Sequence, residues 1–277
     1  MMSRIATGLV LAPLVVWLLL AGPLWLITTV LALAVALSAH ELLTMFDETR
    51  GALATRGAAF AALVAATPML APGFTLTVSG LVASVLLALC LLRPDDLLRQ
   101  SRAGAMLVAT IGYVGVMGAA LTAIAALPAP SGAAGPFAFG PSALLAHFIL
   151  VFSGDTGAYF AGRTFGRHKL YPLVSPKKTI EGSIGGLVAS VGGATLFCHW
   201  AMPQLAAVEV ALAAVIVGAM AQIGDLAESM FKRATATKDS GRILPGHGGM
   251  LDRLDGALFA APWTLAWLTI LHGHLAN

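Results

Sequence analysis

Between Ser229 and Asp255 lie five Lys or Arg residues and three Asp residues, in a chain of 277 that holds 16 Lys+Arg and 13 Asp+Glu altogether. Apolar sequence flanks this window on both sides. Charge beside a bilayer is costly to keep, so a dense polar insert in such a chain marks a place for chemistry. Just upstream, Asp225, Glu228, Ser229 and Lys232 recur at spacings of three and four, which lines them on one face at a helix end. Lys238-Asp239-Ser240-Gly241 and Pro245-Gly246-His247-Gly248-Gly249 then break the helix. Glycines there let backbone N–H groups approach an anion without side chains intervening. Asp252 and Asp255, three apart, share a face where the next helix starts. Carboxylates bracketing a glycine-rich basic loop are the donors Mg²⁺ prefers, a few carboxylate oxygens beside substrate phosphate.

Blander roles compete with these. Asp225, Asp252 and Asp255 could cap helices or pair with Lys232 and Arg253, although three such carboxylates exceed what capping requires. His247, between glycines, is a candidate general base or a hydrogen-bond donor to phosphate; binding is the favoured role. Earlier in the chain, Ser175-Pro-Lys177-Lys178-Thr179-Ile-Glu181 reads as a helix start in which Glu181 completes a capping box. The same stretch suits phosphate binding at a helix N-terminus.

These groups must be held by membrane helices. Of all residues, 58% are hydrophobic and 10% charged, with a mean hydropathy of +0.87, which excludes a soluble globular chain. Apolar runs long enough to cross a bilayer are expected at about 4–21, 23–46, 57–72, 74–92, 103–127, 142–163, 181–199, 205–230 and 256–275. The result is an all-α polytopic membrane protein of about nine transmembrane helices. Residues 1–140 form an N-terminal scaffold and residues 141–277 carry the catalytic loops, without folding separately. The third span is short and Ala-rich. With it in place, all 16 Lys and Arg fall on one side, which puts the N-terminus in the cytoplasm. The acids sort differently: Asp155, Asp225 and Glu228 sit in or at the ends of spans, facing one another or a wet cavity. Gly112, Gly115 and Gly118, like Gly182, Gly185 and Gly186, are expected to serve close helix packing. Cys90 and Cys198 lie in apolar runs and read as reduced, buried thiols.

Ser229, Phe231, Lys232, Arg233, Lys238, Asp239, Gly241, Leu244, Pro245, His247, Gly248, Gly249, Met250, Asp252, Arg253, Leu254 and Asp255 together resemble the phosphatidate cytidylyltransferase (CDP-diacylglycerol synthase) family, with no departure across the 27 positions. Asp155 to Gly162 and Ser175 to Gly182 also resemble it, so the likeness covers roughly the C-terminal half. The resemblance implies transfer of a cytidylyl group from CTP to phosphatidic acid at an inner-membrane site facing the cytoplasm. It implies Mg²⁺ on Asp225, Asp252 and Asp255, with room for a second cation. Arg253, Lys238 and His247 join those carboxylates as candidate catalytic groups. Substrate binding falls to Asp155, Ser175, Lys177, Lys178, Thr179, Glu181, Ser229, Lys232, Arg233, Asp239, Gly248 and Gly249. The expected partners are CTP, phosphatidic acid and membrane lipid, with no nucleic acid; whether the protein is a homodimer stays open. A CTP-dependent polyprenol kinase would use similar parts and release CDP. A secondary transporter would explain Asp225 but not the basic insert. Asp252-Arg253-Leu254-Asp255-Gly256 resembles the CDP-alcohol phosphatidyltransferases too, but Ala-Leu-Phe-Ala-Ala follows, so that assignment fails.

Overall fold

The computed structural model describes residues 13–46, 49, 51–91, 96–130, 135–243 and 248–271. His247, with Arg4, Arg50 and Arg93, lies outside these. The described chain enters as helix α1 (13–21) and continues through α2 (Leu24–Met45), α3 (Ala52–Leu70) and α4 (Thr75–Leu91). Helix α5 runs from Leu97 to Ala125, interrupted by a π-helical stretch at Ile111–Val116. Then come α6 (Phe139–Phe165), α7 (Ile180–Ala201), α8 (Ala207–Ala234) and α9 (Leu251–Ala266), which continues as a π-helix at Trp267–Leu271.

Among the described residues, α2, α3, α5, α6, α7 and α8 are long and apolar enough to cross a membrane. The Ala-rich third span is therefore a helix, and it begins at Ala52. Helices are the economical answer for such runs, because each satisfies its own backbone polar groups where no water can. Leu42, Leu107, Leu121, Leu144 and Leu258 are fully buried between helices, while Leu196, Val208 and Val188 are 76%, 72% and 68% exposed. An apolar outer face of this kind suits lipid.

Among the described residues, small residues line the most extensive helix contact in the bundle, that of α6 with α7. A Cβ on Gly186 would meet the Gly154 carbonyl oxygen at 3.0 Å, and one on Gly182 would meet the Gly162 Cα at 3.1 Å. Gly115 and Gly118 pack likewise against α3 and α2, but Gly112 faces open space, so the packing role expected for it does not hold. Between α6 and α7 the chain forms a feature that hydropathy gave no hint of: an antiparallel hairpin of β1 (Lys169–Tyr171) and β2 (Ser175–Thr179).

The connections gather into two ends. At one, Lys178 reaches Asp225, and Glu41 near the end of α2 reaches Ser240 and Leu251. At the other, Phe137 packs on Trp200 and Trp267 donates to Glu209. Cysteines replacing Ala129 and Leu173, in a background of Cys90→Ala and Cys198→Ala, test this division. An impermeant maleimide added to one face of sealed vesicles should label one position and spare the other; labelling of both from the same face would refute the span arrangement.

Candidate active site

A cavity of about 390 Å³ opens at the end of the bundle that carries Lys178 and Asp225. Asp155, Tyr159 and Arg163 of α6, Lys177 and Lys178 of β2, and Asp225 of α8 supply its polar wall. Its shape follows from local sequence. Thr179 ends β2 and caps α7, accepting the Gly182 N–H at 3.1 Å, so the two lysines just before it are held at a helix N-terminus. Lys178 Nζ lies 2.6 Å from Asp225 Oδ2, and Arg163 donates to the Tyr159 hydroxyl at 2.9 Å.

Glu181 does not close the expected capping box. Its carboxylate instead turns back on the hairpin, taking the Arg167 N–H at 3.1 Å and His168 Nδ1 at 2.6 Å. It thereby ties the entry of the hairpin to α7. Arg233 works at the other edge, donating from Nε to the Val174 carbonyl at 3.2 Å. Ser175 pairs with Tyr171 in the hairpin. Ser229 lies one turn beyond Asp225 and donates to it weakly, at 3.4 Å.

A second cluster sits where α8, the glycine-rich loop and α9 converge. Lys232 Nζ contacts Glu228 Oε2 and lies 2.7 Å from Asp252 Oδ1. The other oxygen of Asp252 accepts the Gly249 N–H at 2.8 Å and both the N–H and Oγ of Ser240 at 3.0 Å. Both oxygens of Asp252 are thus committed to the loop and to Lys232. Gly248 adopts φ +81°, a left-handed conformation that a side chain would strain, and any Cβ there would press on the Asp252 carboxylate. Lys238, Asp239 and Arg253 are exposed at this same end.

Asp255 joins the two clusters. It lies within coulombic range of Asp225, Glu228 and Asp155, and Asp155 in turn of Lys178 and Arg253. Among the described residues no three His, Cys, Asp or Glu side chains converge as a ready-made cation cage. The donor chemistry nevertheless suits a cation, because Glu228 is fully buried with Oε1 lacking a partner while the carboxylates of Asp252 and Asp255 lie near it.

Two participants escaped sequence reasoning. Glu41 is only 3% exposed and accepts the Leu251 N–H at 2.8 Å and the Ser240 hydroxyl at 3.1 Å. A carboxylate at the end of an apolar run was itself the available sign. Gln222, half-buried on α8, donates to the Ser183 carbonyl at 3.0 Å and so ties α8 to α7 along the cavity wall.

The two lysine contacts differ in burial, and their removal should differ accordingly. Lys232 is 15% exposed and Glu228 1%, whereas Lys178 and Asp225 are 26% and 35% exposed. Lys232→Met should therefore destabilise the protein by about 3 kcal/mol, the cost of leaving buried charge unpaired. Lys178→Met should cost less than about 1 kcal/mol. Thermal unfolding of both variants in detergent reads the difference; equal losses would contradict it.

The sequence matches the cytidylyltransferase family over residues 2–271. The phosphatidate cytidylyltransferase of Staphylococcus haemolyticus is 48% identical over 119 residues, 43% of this chain and 46% of that protein. That of Haemophilus influenzae is 46% identical over 124 residues, 43% of each chain. With these two relatives the similarity spans less than half of their length. The phosphatidate cytidylyltransferase of Brucella suis biovar 1 is 34% identical over 270 residues, 94% of this chain and 90% of that protein. With the match running nearly end to end, this chain belongs to the cytidylyltransferase family.

Proposed function

We propose that the protein transfers the cytidylyl group of CTP to phosphatidic acid, forming CDP-diacylglycerol and releasing pyrophosphate. One observation supports this reading beyond family membership: a cavity of about 390 Å³, at one end of a lipid-embedded bundle, walled by both cations and carboxylates. Its volume falls in the range of small-molecule sites. A substrate from the bilayer and one from water can both reach such a position.

The chemistry asks little of a base, since a phosphatidate oxygen is already anionic. That oxygen forms a bond to the α-phosphorus of CTP, the bond from that phosphorus to the bridging oxygen of the β-phosphate breaks, and pyrophosphate leaves. The difficulty is bringing two anions together. Lys177 and Lys178, just ahead of the N-terminus of α7, grip the triphosphate, where helix N–H groups already favour anions. Arg253, within coulombic range of Asp155, stabilises charge that develops during transfer.

A hard divalent cation such as Mg²⁺ fits the carboxylates of α8 and α9. Asp225 and Asp255 would hold it, with the unpartnered oxygen of Glu228 behind them. Asp252, which the resemblance adds as a third ligand, also meets Lys232 and the Gly249 amide and so organises the loop beside them. When bound, the cation neutralises the phosphates of substrate and leaving group. In this reading the protein is a multi-pass protein of the inner membrane. Its site faces the cytoplasm, because the Lys and Arg residues gather at that end of the spans.

Purified protein given labelled CTP, Mg²⁺ and phosphatidate should yield lipid-soluble label and pyrophosphate, and a chelator should stop the reaction. Release of CDP with a phosphorylated lipid would identify a lipid kinase instead. The two basic groups should separate kinetically. Lys177→Ala should raise the KM for CTP by about tenfold, because it binds ground and transition states alike. Arg253→Ala should lower kcat by about a hundredfold with little change in KM. A Lys177→Ala enzyme with unaltered KM and reduced kcat would overturn that division of labour.

A further inference from the structure

We propose that Glu41 is a positioning residue. From the N-terminal half of the chain it fixes the glycine-rich loop and the first turn of α9, and through them Asp252 and Lys232. The proposal rests on the functional reading above for its kinetic part only.

The first turn of a helix has N–H groups without intrahelical partners. Met250, the residue that should cap α9, makes no side-chain hydrogen bond to it. Glu41 takes over this job from another helix: its Oε2 accepts the N–H of Leu251 at 2.8 Å. A negative charge is favoured there by the helix dipole. The same oxygen lies 3.1 Å from Ser240 Oγ, whose single proton is shared with Asp252 Oδ2 at 3.0 Å. Ser240 Oγ also accepts the Asp252 N–H at 3.2 Å. One serine therefore links Glu41 to Asp252, and Asp252 holds Lys232.

The glycines confirm how tightly the loop is drawn onto this carboxylate. A Cβ on Gly241 would overlap Glu41 Oε1, and one on Gly249 would overlap Ser240 Oγ and approach Glu41 Oε2 at 2.5 Å. Two of the loop's glycines thus make room for a side chain of α2 rather than for a ligand. Glu41 is almost fully buried, and its contacts cross 199 and 210 positions of sequence. A carboxylate held so far from its partners in sequence has little local purpose; what it fixes is the loop.

The experiment uses the full chain in lipid nanodiscs and three variants. Glu41→Gln keeps an acceptor at the same reach. Glu41→Asp keeps the charge but withdraws it by one methylene. Glu41→Ala removes both. The expectation is that Asp and Ala lower kcat, per folded protein, by about a hundredfold, the scale of a misplaced catalytic group. Both KM values should stay within about threefold, and Gln should retain at least about a third of wild-type kcat. Amide exchange should quicken in peptides covering Lys238–Gly241 and Met250–Leu254 and stay unchanged elsewhere. If Ala fails to fold, Asp and Gln carry the comparison. Wild-type kcat in the Asp variant, exchange that rises throughout the chain, or a Gln variant as impaired as Asp would each overturn the proposal. If wild-type protein itself makes no CDP-diacylglycerol, the functional reading fails, and local exchange still decides whether Glu41 holds the loop.

Discussion

Lys232 lies between Glu228 and Asp252 at the end of an apolar bundle, and much of this end of the molecule depends on keeping that charge paired. Breaking a buried pair by removing one partner leaves the other charge uncompensated, a cost of several kcal/mol. Each partner must therefore be fixed by other means. Glu228 is fixed by its place on α8, one turn before Lys232. Asp252 is fixed by the Gly249 amide and by Ser240, which bind one oxygen while the lysine takes the other. The loop between α8 and α9 is shaped around this arrangement, with Gly248 in a left-handed conformation beside the carboxylate.

The cavity depends on a different constraint, that of close helix approach. In lipid there is no hydrophobic force between helices, so association rests on van der Waals packing, which small residues make possible. Gly154, Gly162, Gly182 and Gly186 bring α6 and α7 together, and the hairpin between them can then present Lys177 and Lys178 opposite Asp225. Glu181 and Arg233 brace that hairpin from its two sides. Structure and prospective chemistry meet here: the helix N-terminus proposed to bind phosphate is positioned by the glycines that pack it.

The two halves of the chain pack against each other. Helix α9 packs on α5 and α2, and Tyr113, at the π-helical interruption of α5, contacts Phe231 and Phe259 beside the acidic cluster. The first half thus contributes contacts at the end that carries the candidate site.

Much was decided by sequence alone. Long apolar runs dictated the helices, because only helices satisfy backbone groups locally in lipid. The spacing of Asp225, Glu228, Ser229 and Lys232 put them on one helical face, as a period of 3.6 residues requires. The charge asymmetry kept the Ala-rich third span, which is a helix from Ala52 to Leu70. Tertiary structure decided which partner each charge received. Asp252 and Asp255 look alike in sequence, yet one is bound up with Ser240, Gly249 and Lys232 while the other faces Asp225 and Glu228. Glu181 suits a capping box by its spacing, but the returning hairpin offered it Arg167 and His168. Glu41 was the least legible of all, since its partners lie about two hundred positions away. Periodicity and spacing report on neighbours along the chain, whereas a buried carboxylate takes whichever donors the packed helices bring to it.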